Sequence, residues 1–139
     1  MIKVLHPGIY NTVQDLGRFG YAKMGIPVAG FMDEYAAELG NALLNNQKND
    51  AAIEITFGQG KFQFMEPTVF CLTGADFSPK LDGDFLEMNQ VYQAEANAVL
   101  SFGQRNYGAR TYLVLQNGIQ SEPVMKSRSF SKGITQVRL

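Results

Sequence analysis

The stretch AIEITFGQGKFQFMEPTVFCLT, residues 52–73, decides the fold class. It contains three short runs rich in β-branched and aromatic residues, at 52–57, 61–65 and 68–73, separated by a Gly-Gln-Gly turn and a Glu-Pro turn. Runs of this length and composition, bounded by glycine and proline, are typical of β-strands. The stretch therefore predicts three consecutive strands joined by short turns.

Similar runs occur on both sides of this stretch. The upstream candidates are 2–5 and 10–14, and the downstream candidates are 77–81, 85–88, 98–102 and 111–116. Many short strands separated by turn residues indicate an all-β sandwich or barrel. We therefore predict a mainly β protein.

The segment QDLGRFGYAKMGIPVAGFMDEYAAELGN, residues 14–41, differs from the strand-rich remainder. Its glycine-rich first half shows neither helical nor strand periodicity and predicts a long structured loop, a kind of loop that is usually functional. Its second half predicts one principal α-helix, about residues 33–46, with Asp33 capping the first turn. Helical spacing leads us to expect that four residues of this helix face the core: Tyr35, Leu39, Ala42 and Leu43.

Length and composition bound the class of protein. The chain has 139 residues, of which 45% are hydrophobic and 18% charged, as in one globular domain spanning 1–139. A net charge of -1 without a basic stripe argues against a nucleic-acid partner. We see no signal peptide and no apolar run near the ~20 residues needed to span a bilayer, so we expect no membrane partner. Together with a single cysteine, these features indicate a cytoplasmic protein.

Six polar residues in and beside the glycine-rich segment form a first candidate site. Glutamine and asparagine present both a donor and an acceptor, and arginine offers a planar fork for a carboxylate or phosphate. This mixture suits a small amide-like or carboxylate ligand. The alternative is purely structural, with an Asp15–Arg18 pair, a helix cap and a loop tie. The six residues are Gln14, Asp15, Arg18, Tyr21, Asp33 and Asn41.

A second candidate site is the run Thr73-Gly74-Ala75-Asp76, which we expect just past the end of an apolar strand. Glycine lets the backbone approach a ligand closely, and Asp76 would stand at the mouth of the strand. The alternative is a tight turn in which Asp76 bonds its own backbone. Glu54 and Thr56 share one face of a predicted strand, and the pattern leaves open whether that face is inward and functional or solvated.

The other reactive residue types point to no further site. His6 is the only histidine and lies in a turn before proline, where a surface or capping role is expected. Cys71 lies in an apolar run and is expected to be a buried, inert thiol. Without a second histidine or cysteine we expect no metal site and no Ser-His-Asp triad.

With these residues in view, the sequence resembles the biotin-dependent carboxyltransferase family. That family includes the C subunit of 5-oxoprolinase, the second subunit of allophanate hydrolase, the carboxyltransferase part of urea carboxylase and an antagonist of a sporulation-kinase inhibitor. The matching segments, in the order of the family, are PGIYNTVQDLGRFGY (7–21), GIPVAGFMDEYAAELGN (25–41), AAIEITFGQGKFQF (51–64), LTGADF (72–77), ARTYLVLQNGI (109–119) and KSRSF (126–130). Members of this type are far longer, so we expect this chain to be the N-terminal part of such a protein.

The resemblance implies a cyclophilin-like β-barrel and a site shared between two related domains or subunits. It implies a subunit of an ATP-dependent 5-oxoprolinase that opens 5-oxoproline to glutamate, with kinase-inhibitor-like and hydrolase partner subunits. The chain starts at its own Met1 with no biotin-attachment motif nearby, which favours this possibility. One alternative is a subunit of the carboxyltransferase or allophanate-hydrolase type acting on urea or a related amide, with biotin as cofactor. Another is a non-catalytic module that antagonises a kinase inhibitor.

Residue types and family motifs together suggest roles. A site for an amide needs donors aimed at the carbonyl oxygen and an acceptor for the N–H. We predict Arg18, Asp33 and Asp76 as catalytic residues. The predicted substrate-binding residues are Gln14, Asp15, Tyr21, Asn41, Thr73 and Gly74. Because the site is shared, we expect the 139-residue chain to be inactive alone.

Overall fold

A computed structural model describes residues 2–132 and Thr135. Within them lie ten strands, one α-helix and a short 3-10 helix, Ala22–Met24, and no helix that is long and apolar enough to cross a membrane. The strands are β1 (Ile2–His6), β2 (Thr12–Gln14), β3 (Ala52–Thr56), β4 (Lys61–Phe64), β5 (Thr68–Asp76), β6 (Lys80–Leu81), β7 (Asp84–Phe85), β8 (Val91–Ala94), β9 (Val99–Ser101) and β10 (Tyr107–Leu115); the helix is α1 (Glu34–Leu43). The prediction of a mainly β chain with one principal helix is confirmed.

The strands form two antiparallel five-stranded sheets. Their orders are β1-β4-β9-β6-β7 and β2-β3-β10-β5-β8. Side chains of both sheets meet in one apolar cluster, to which β4 contributes Phe62 and Phe64 and β5 contributes Phe70 and Leu72. Neither sheet closes on itself within the described residues. The predicted cyclophilin-like β-barrel is therefore better described as two open sheets packed together.

Two strands differ from the prediction in ways that affect the second candidate site. Strand β5 continues to Asp76, so the run Thr73–Asp76 lies inside the strand. The prediction had placed this run just past the end of the strand. Strand β5 can continue because β10 is irregular opposite it, with a register shift between Tyr107 and Thr111. Strand β8, with the sequence VYQA, was not predicted.

The second sheet is covered on both faces. Its outer face carries a second apolar cluster, formed mainly by α1 and the residues of β3, β5 and β10 beneath it. For this reason all five residues of β3 are buried. Ile53 and Ile55 belong to the cluster between the sheets, whereas Ala52 belongs to the cluster under α1. Glu54 therefore points inward, toward the helix side, and not to solvent.

The helix begins where predicted but presents a different face to the core. Asp33 caps it, its Oδ1 accepting from the N–H of Ala36 at 3.1 Å. The buried residues of the helix are Ala36, Ala37, Gly40 and Asn41, so the prediction that Tyr35, Leu39, Ala42 and Leu43 face the core is wrong. Small residues occupy the buried face because the helix lies very close to the sheet. A Cβ on Gly40 would lie 2.5 Å from Cγ2 of Val114.

Candidate functional site

A cleft of about 430 Å³ lies where the start of α1 meets strands β5 and β10. It contains Asp33 and Gly74 from the predicted site residues. It also contains Arg110, which the sequence analysis did not single out. The lining residues are Met32, Asp33, Gly74, Ala75, Tyr107, Gly108, Ala109 and Arg110. A concave surface with a carboxylate and a guanidinium is the strongest candidate for a ligand site in the described part of the chain.

Asp33 combines a structural and an available oxygen. Its Oδ1 is used by the helix cap, and its backbone N–H donates to Tyr112 Oη at 2.8 Å. Its Oδ2 has no hydrogen-bond partner within residues 2–132, and the residue is exposed. The carboxylate can therefore accept a hydrogen bond from a ligand while the cap is kept.

A buried carboxylate, Glu54, ties the floor of the cleft together. Its Oε2 accepts from the N–H of Met32 and from Tyr112 Oη, both at 2.8 Å. Its Oε1 lies 3.8 Å from Nε of Arg110. Burial raises the pKa of the Tyr112 hydroxyl far above its ordinary value, and the nearby Glu54 carboxylate acts in the same direction. The hydroxyl therefore stays protonated and keeps donating to Glu54.

The other residues of the second candidate site make structural contacts. Gly74 has a φ of +86°, and a Cβ there would lie 2.5 Å from the carbonyl oxygen of Arg110. Thr73 is buried and its Oγ1 donates to the carbonyl of Ala36 at 2.7 Å. Asp76 Oδ1 accepts from the N–H of Ser78 at 2.9 Å, so Asp76 bonds the local backbone as in the alternative, although the run itself is strand and not a tight turn. The roles of these residues in substrate binding or catalysis stay predictions.

Arg18 lies in a different network, which holds the segment 124–130. The side chain is 1% exposed. Its Nε donates to the carbonyl of Val124 at 2.8 Å, and its Nη2 donates to the carbonyls of Ser127 and Ser129 at 3.2 and 3.0 Å. The structure does not bring Arg18 to the cleft, and its predicted catalytic role stays a prediction.

Asp15 holds the same segment through its side chain. Its Oδ1 accepts from the hydroxyls of Ser127 and Ser129, both at 2.7 Å, and its Oδ2 accepts from the N–H of Arg128 at 2.8 Å. Asp15 and Arg18 do not form an ion pair with each other. Both residues instead bind neighbouring groups of the segment 124–130. This arrangement differs from the Asp15–Arg18 pair that we gave as the structural alternative.

The remaining three predicted residues also lie outside the cleft. Gln14 bridges the loop and the segment 124–130, since its Oε1 accepts from Gly30 N–H at 3.1 Å and its Nε2 donates to the carbonyl of Phe130 at 3.3 Å. Asn41 is buried and ties α1 to the following loop through the carbonyl of Asp50 at 3.0 Å. Tyr21 is half-buried and precedes the 3-10 helix.

The structure adds three residues to the candidate site. The sequence left Glu54 open and did not identify Arg110 or Tyr112. Tyr112 lies directly opposite Glu54 in the β3–β10 pair, and Arg110 lies opposite Thr56. One signal was present, because the family-like segment 109–119 contains both new residues, but the strand register that places them beside Glu54 is not visible in the sequence.

A larger groove is a weaker candidate. It measures about 680 Å³ and lies between β1 and the strands β2, β3 and β10. Its lining is mostly aliphatic, and among the described residues that line it Glu66 is the one that is charged. Among the residues that the structure describes, no group of three or more His, Cys, Asp or Glu side chains is arranged to hold a metal ion.

Comparisons with known proteins agree with the fold and the segments identified above. A family model described as "Carboxyltransferase domain, subdomain A and B" matches residues 24–136. The chain is 36% identical to the C subunit of 5-oxoprolinase from Escherichia coli (strain K12) over 129 residues, covering 93% of this chain and 42% of that protein. It is 34% identical to urea amidolyase of Lachancea kluyveri over 128 residues, covering 91% of this chain and 7% of that protein.

A solved structure shows the same fold. The crystal structure of the K. lactis urea amidolyase superposes with a TM-score of 0.87 at 34% identity, covering 92% of this chain and 8% of that chain. The chain thus spans less than half of the length of the curated relatives that it matches. Because the family model covers most of the chain, including the start of the helix, the floor of the cleft and the segment 124–130, this protein belongs to the carboxyltransferase family with subdomains A and B.

Proposed function

We propose that this chain is part of an ATP-dependent 5-oxoprolinase, which opens 5-oxoproline to glutamate, and that its cleft binds the ring amide. One observation carries the proposal. The part of the chain that is similar to the C subunit of 5-oxoprolinase holds a cleft in which an unused carboxylate oxygen, on Asp33, and a guanidinium, on Arg110, lie on one surface. These are the two kinds of group that an amide requires.

The chemistry of the substrate explains the need for both groups. An amide is poorly reactive because its nitrogen lone pair is delocalised onto the carbonyl oxygen. A donor at that oxygen stabilises the charge that builds there, and an acceptor at the N–H fixes the orientation of the ring. In the cleft, Arg110 supplies N–H donors and Asp33 Oδ2 supplies the acceptor.

ATP fits the cleft poorly. The lining and floor carry the carboxylates of Asp33 and Glu54 against the single guanidinium of Arg110. Two carboxylates would repel a triphosphate. We therefore assign ATP to the partner subunits of the complex, for which a kinase-inhibitor-like subunit and a hydrolase subunit are the candidates. The isolated chain is expected to be inactive.

A second candidate function is supported by the likeness to urea amidolyase. Urea also presents one carbonyl oxygen and N–H groups, so the same two side chains suit it. In that case the chain would be a carboxyltransferase-type or allophanate-hydrolase-type component, and biotin would take part in the complex. Neighbouring genes separate the two candidates: a hydrolase and a kinase-inhibitor-like protein favour the first, and a biotin carboxylase favours the second.

The test is substrate-dependent ATP hydrolysis by the full-length protein with its partner subunits. Asp33→Asn removes the charge but keeps a residue that caps helices as well as aspartate does. We expect it to lower kcat/KM for 5-oxoproline by about tenfold or more, the size of one hydrogen bond to a charged group. Asp84→Asn, the same change on an exposed strand, is the matched control and should leave turnover unchanged.

Four outcomes are informative. Turnover that depends on 5-oxoproline and falls in Asp33→Asn supports the first candidate. Turnover that depends on urea supports the second. Wild-type turnover by a folded Asp33→Asn variant contradicts the role assigned to Asp33, and wild-type turnover by a folded Arg18→Ala variant contradicts the predicted catalytic role of Arg18. If neither substrate stimulates hydrolysis in the complex, the enzyme proposal fails and the regulatory alternative gains support.

A further inference from the structure

We infer that Arg110 is the residue that binds the carbonyl oxygen of the ligand amide, and that Arg110 and Asp33 together take the amide group of the ligand rather than its carboxylate group. The inference rests on the proposed function for its substrate and extends it by naming the atom of the ligand that each side chain contacts.

Arg110 has unused hydrogen-bonding capacity. Its side chain is 32% exposed and lines the cleft, yet its Nε is buried and has no hydrogen-bond partner. The nearest opposite charge, Glu54 Oε1, lies 3.8 Å away, which is too far for a hydrogen bond. No acceptor for its terminal nitrogens lies within residues 2–132. A buried Nε–H without an acceptor, on a guanidinium that faces a cleft, indicates a group that a ligand can complete.

The Glu54 carboxylate and the pairing of β10 with its neighbouring strands fix the position of the Arg110 guanidinium. Glu54 is held by two hydrogen bonds from Met32 N–H and Tyr112 Oη, so its free oxygen is fixed next to Arg110. The backbone of Arg110 pairs with Thr56 on β3, and it lies so close to Gly74 on β5 that a Cβ there would be 2.5 Å from the carbonyl oxygen of Arg110. The side chain therefore extends from a paired strand and lies near a carboxylate whose position is fixed. A pre-organised binding group requires this kind of support.

The charges around Arg110 decide the class of ligand. Glu54 already offsets its positive charge at 3.8 Å, and Asp33 adds a second carboxylate to the same cleft. A ligand carboxylate placed on Arg110 would meet two negative groups, whereas a neutral carbonyl oxygen would not. An amide also satisfies Asp33 Oδ2 through its N–H. We therefore assign the amide of the ligand, and not its carboxylate, to this pair of residues.

The experiment uses three probes with the full chain: 5-oxoproline, 2-pyrrolidinone, which keeps the ring amide but has no carboxylate, and cyclopentanecarboxylate, which keeps the carboxylate but has no amide. Binding is measured by calorimetry for the wild type and for Arg110→Gln. We expect Arg110→Gln to weaken the binding of 5-oxoproline and 2-pyrrolidinone by a similar factor, about tenfold to a hundredfold. We expect cyclopentanecarboxylate to bind weakly to both proteins.

Controls separate binding from folding. Lys61→Gln removes the same charge from an exposed position in the other sheet and should leave binding unchanged. Because Arg110→Gln strips a buried carboxylate of its partner, Arg110→Lys and the double variant Glu54→Gln/Arg110→Gln are measured beside it, with circular dichroism to show that each is folded. Both should bind 2-pyrrolidinone more weakly than the wild type does.

The outcomes divide as follows. Wild-type affinity for 2-pyrrolidinone in the folded variants overturns the inference, as does a lack of binding by the wild-type chain. A loss that affects 5-oxoproline but not 2-pyrrolidinone also overturns it, because Arg110 would then bind the carboxylate. If 2-pyrrolidinone binding depends on Arg110 while the complex shows no 5-oxoproline-dependent turnover, the inference stands and the 5-oxoprolinase proposal fails.

Discussion

At the scale of the residue, Arg18 shows how a side chain that suggests catalysis can be committed to structure. A buried guanidinium is stable only when its N–H groups are hydrogen-bonded. Arg18 meets this condition for Nε and Nη2, which donate to three backbone carbonyls of the segment 124–129, whereas its Nη1 has no partner among the described residues. Loss of turnover in an Arg18 variant therefore has to be separated from loss of folding.

The first prediction concerns this arginine. Arg18→Gln removes donors from three buried carbonyls, and we expect it to lower the free energy of unfolding by at least about 2 kcal/mol, because hydrogen bonds to charged groups are the stronger ones. Urea denaturation at neutral pH measures the change. Lys61→Gln removes the same charge from the surface and should change stability by no more than about 0.5 kcal/mol. Equal effects in the two variants would contradict a structural role for Arg18.

The second prediction concerns Cys71. Burial raises the pKa of its thiol from 9.0 to about 12, because the thiolate would lose its hydration. The unfolded chain releases this proton above pH 9 and the folded chain keeps it until about pH 12. The unfolded state therefore binds fewer protons within this window. The free energy of unfolding should fall as pH rises through it, by at most ~1.4 kcal/mol per pH unit.

Comparison with Cys71→Ala isolates this contribution. The variant loses some stability at every pH because it leaves a small cavity. It should nevertheless show a shallower decline of unfolding free energy between pH 8 and pH 10, measured by urea denaturation. Tyr112, whose pKa is also raised, has an ordinary value of 10.0 and contributes mainly above that range. Identical slopes for the two proteins would show that Cys71 does not titrate this way.

At the scale of the element, the short distance between α1 and the sheet decides which residues of the helix are buried, and the size of their side chains does not. The buried face of the helix consists of small residues, and the floor beneath it includes a polar row. Thr12, Glu54, Tyr112 and Thr73 lie side by side across β2, β3, β10 and β5. Thr73 bonds the helix backbone and Tyr112 bonds the N–H of Asp33, so the sheet holds the start of the helix by hydrogen bonds. The cleft depends on this arrangement.

The third prediction tests which face of the helix is buried. Leu44, at the end of α1, is 5% exposed and packs in the cluster under the helix, whereas Tyr35 is 78% exposed. We expect Leu44→Ala to cost about 2–4 kcal/mol of unfolding free energy through lost burial and a cavity. Tyr35→Ala should cost no more than about 0.5 kcal/mol. A larger loss of stability in Tyr35→Ala than in Leu44→Ala would contradict this assignment and would support the face that the spacing of the large apolar residues predicted.

At the scale of the whole molecule, the two ends of the described chain are joined by buried polar contacts. Asp15 and Arg18 come early in the chain, and their partners lie in segment 124–130 near its end. The two open sheets do not close around this segment. The segment instead covers the loop that follows β2, and the N–H of Phe130 bonds the carbonyl of Val13 at 2.9 Å.

The fourth prediction follows from this joint. Deletion of residues 124–139 leaves two buried charged groups without their partners, so it should lower the free energy of unfolding by more than Arg18→Gln does. In a double-mutant cycle, Arg18→Gln should cost much less in the deleted chain than in the full chain, because the carbonyls that it served are gone. Additive costs in thermal or urea unfolding would show that the contacts contribute little.

Much of the fold could be predicted from local patterns. The runs in 52–73 and the cap at Asp33 were confirmed because strand composition and helix capping act over a few residues. The face of α1 was predicted wrongly, since spacing identifies large apolar residues but not the distance to the sheet. The end of β5 was also misplaced, because Gly74 resembles a turn residue until the strand opposite it is known.

The candidate site was only partly predictable for the same reason. Asp33 and Gly74 line the cleft, and the roles of all the predicted site residues stay predictions. Arg110 and Glu54 are far apart in the chain and come together through the pairing of β3 with β10. A shift of one residue in that register would send Arg110 to the other face of the sheet.

The amino-acid sequence by itself determined the strand-rich character, the start of the helix and the family, because these depend on local composition and on the order of segments. The tertiary structure alone decided that Arg18 and Asp15 hold the segment 124–130, and that Arg110 lies near Glu54 in a cleft that Asp33 also lines. The physical reason is that hydrogen bonds and charge pairs require atoms within a few ångströms, and only strand register and helix packing bring residues so distant in sequence to that separation.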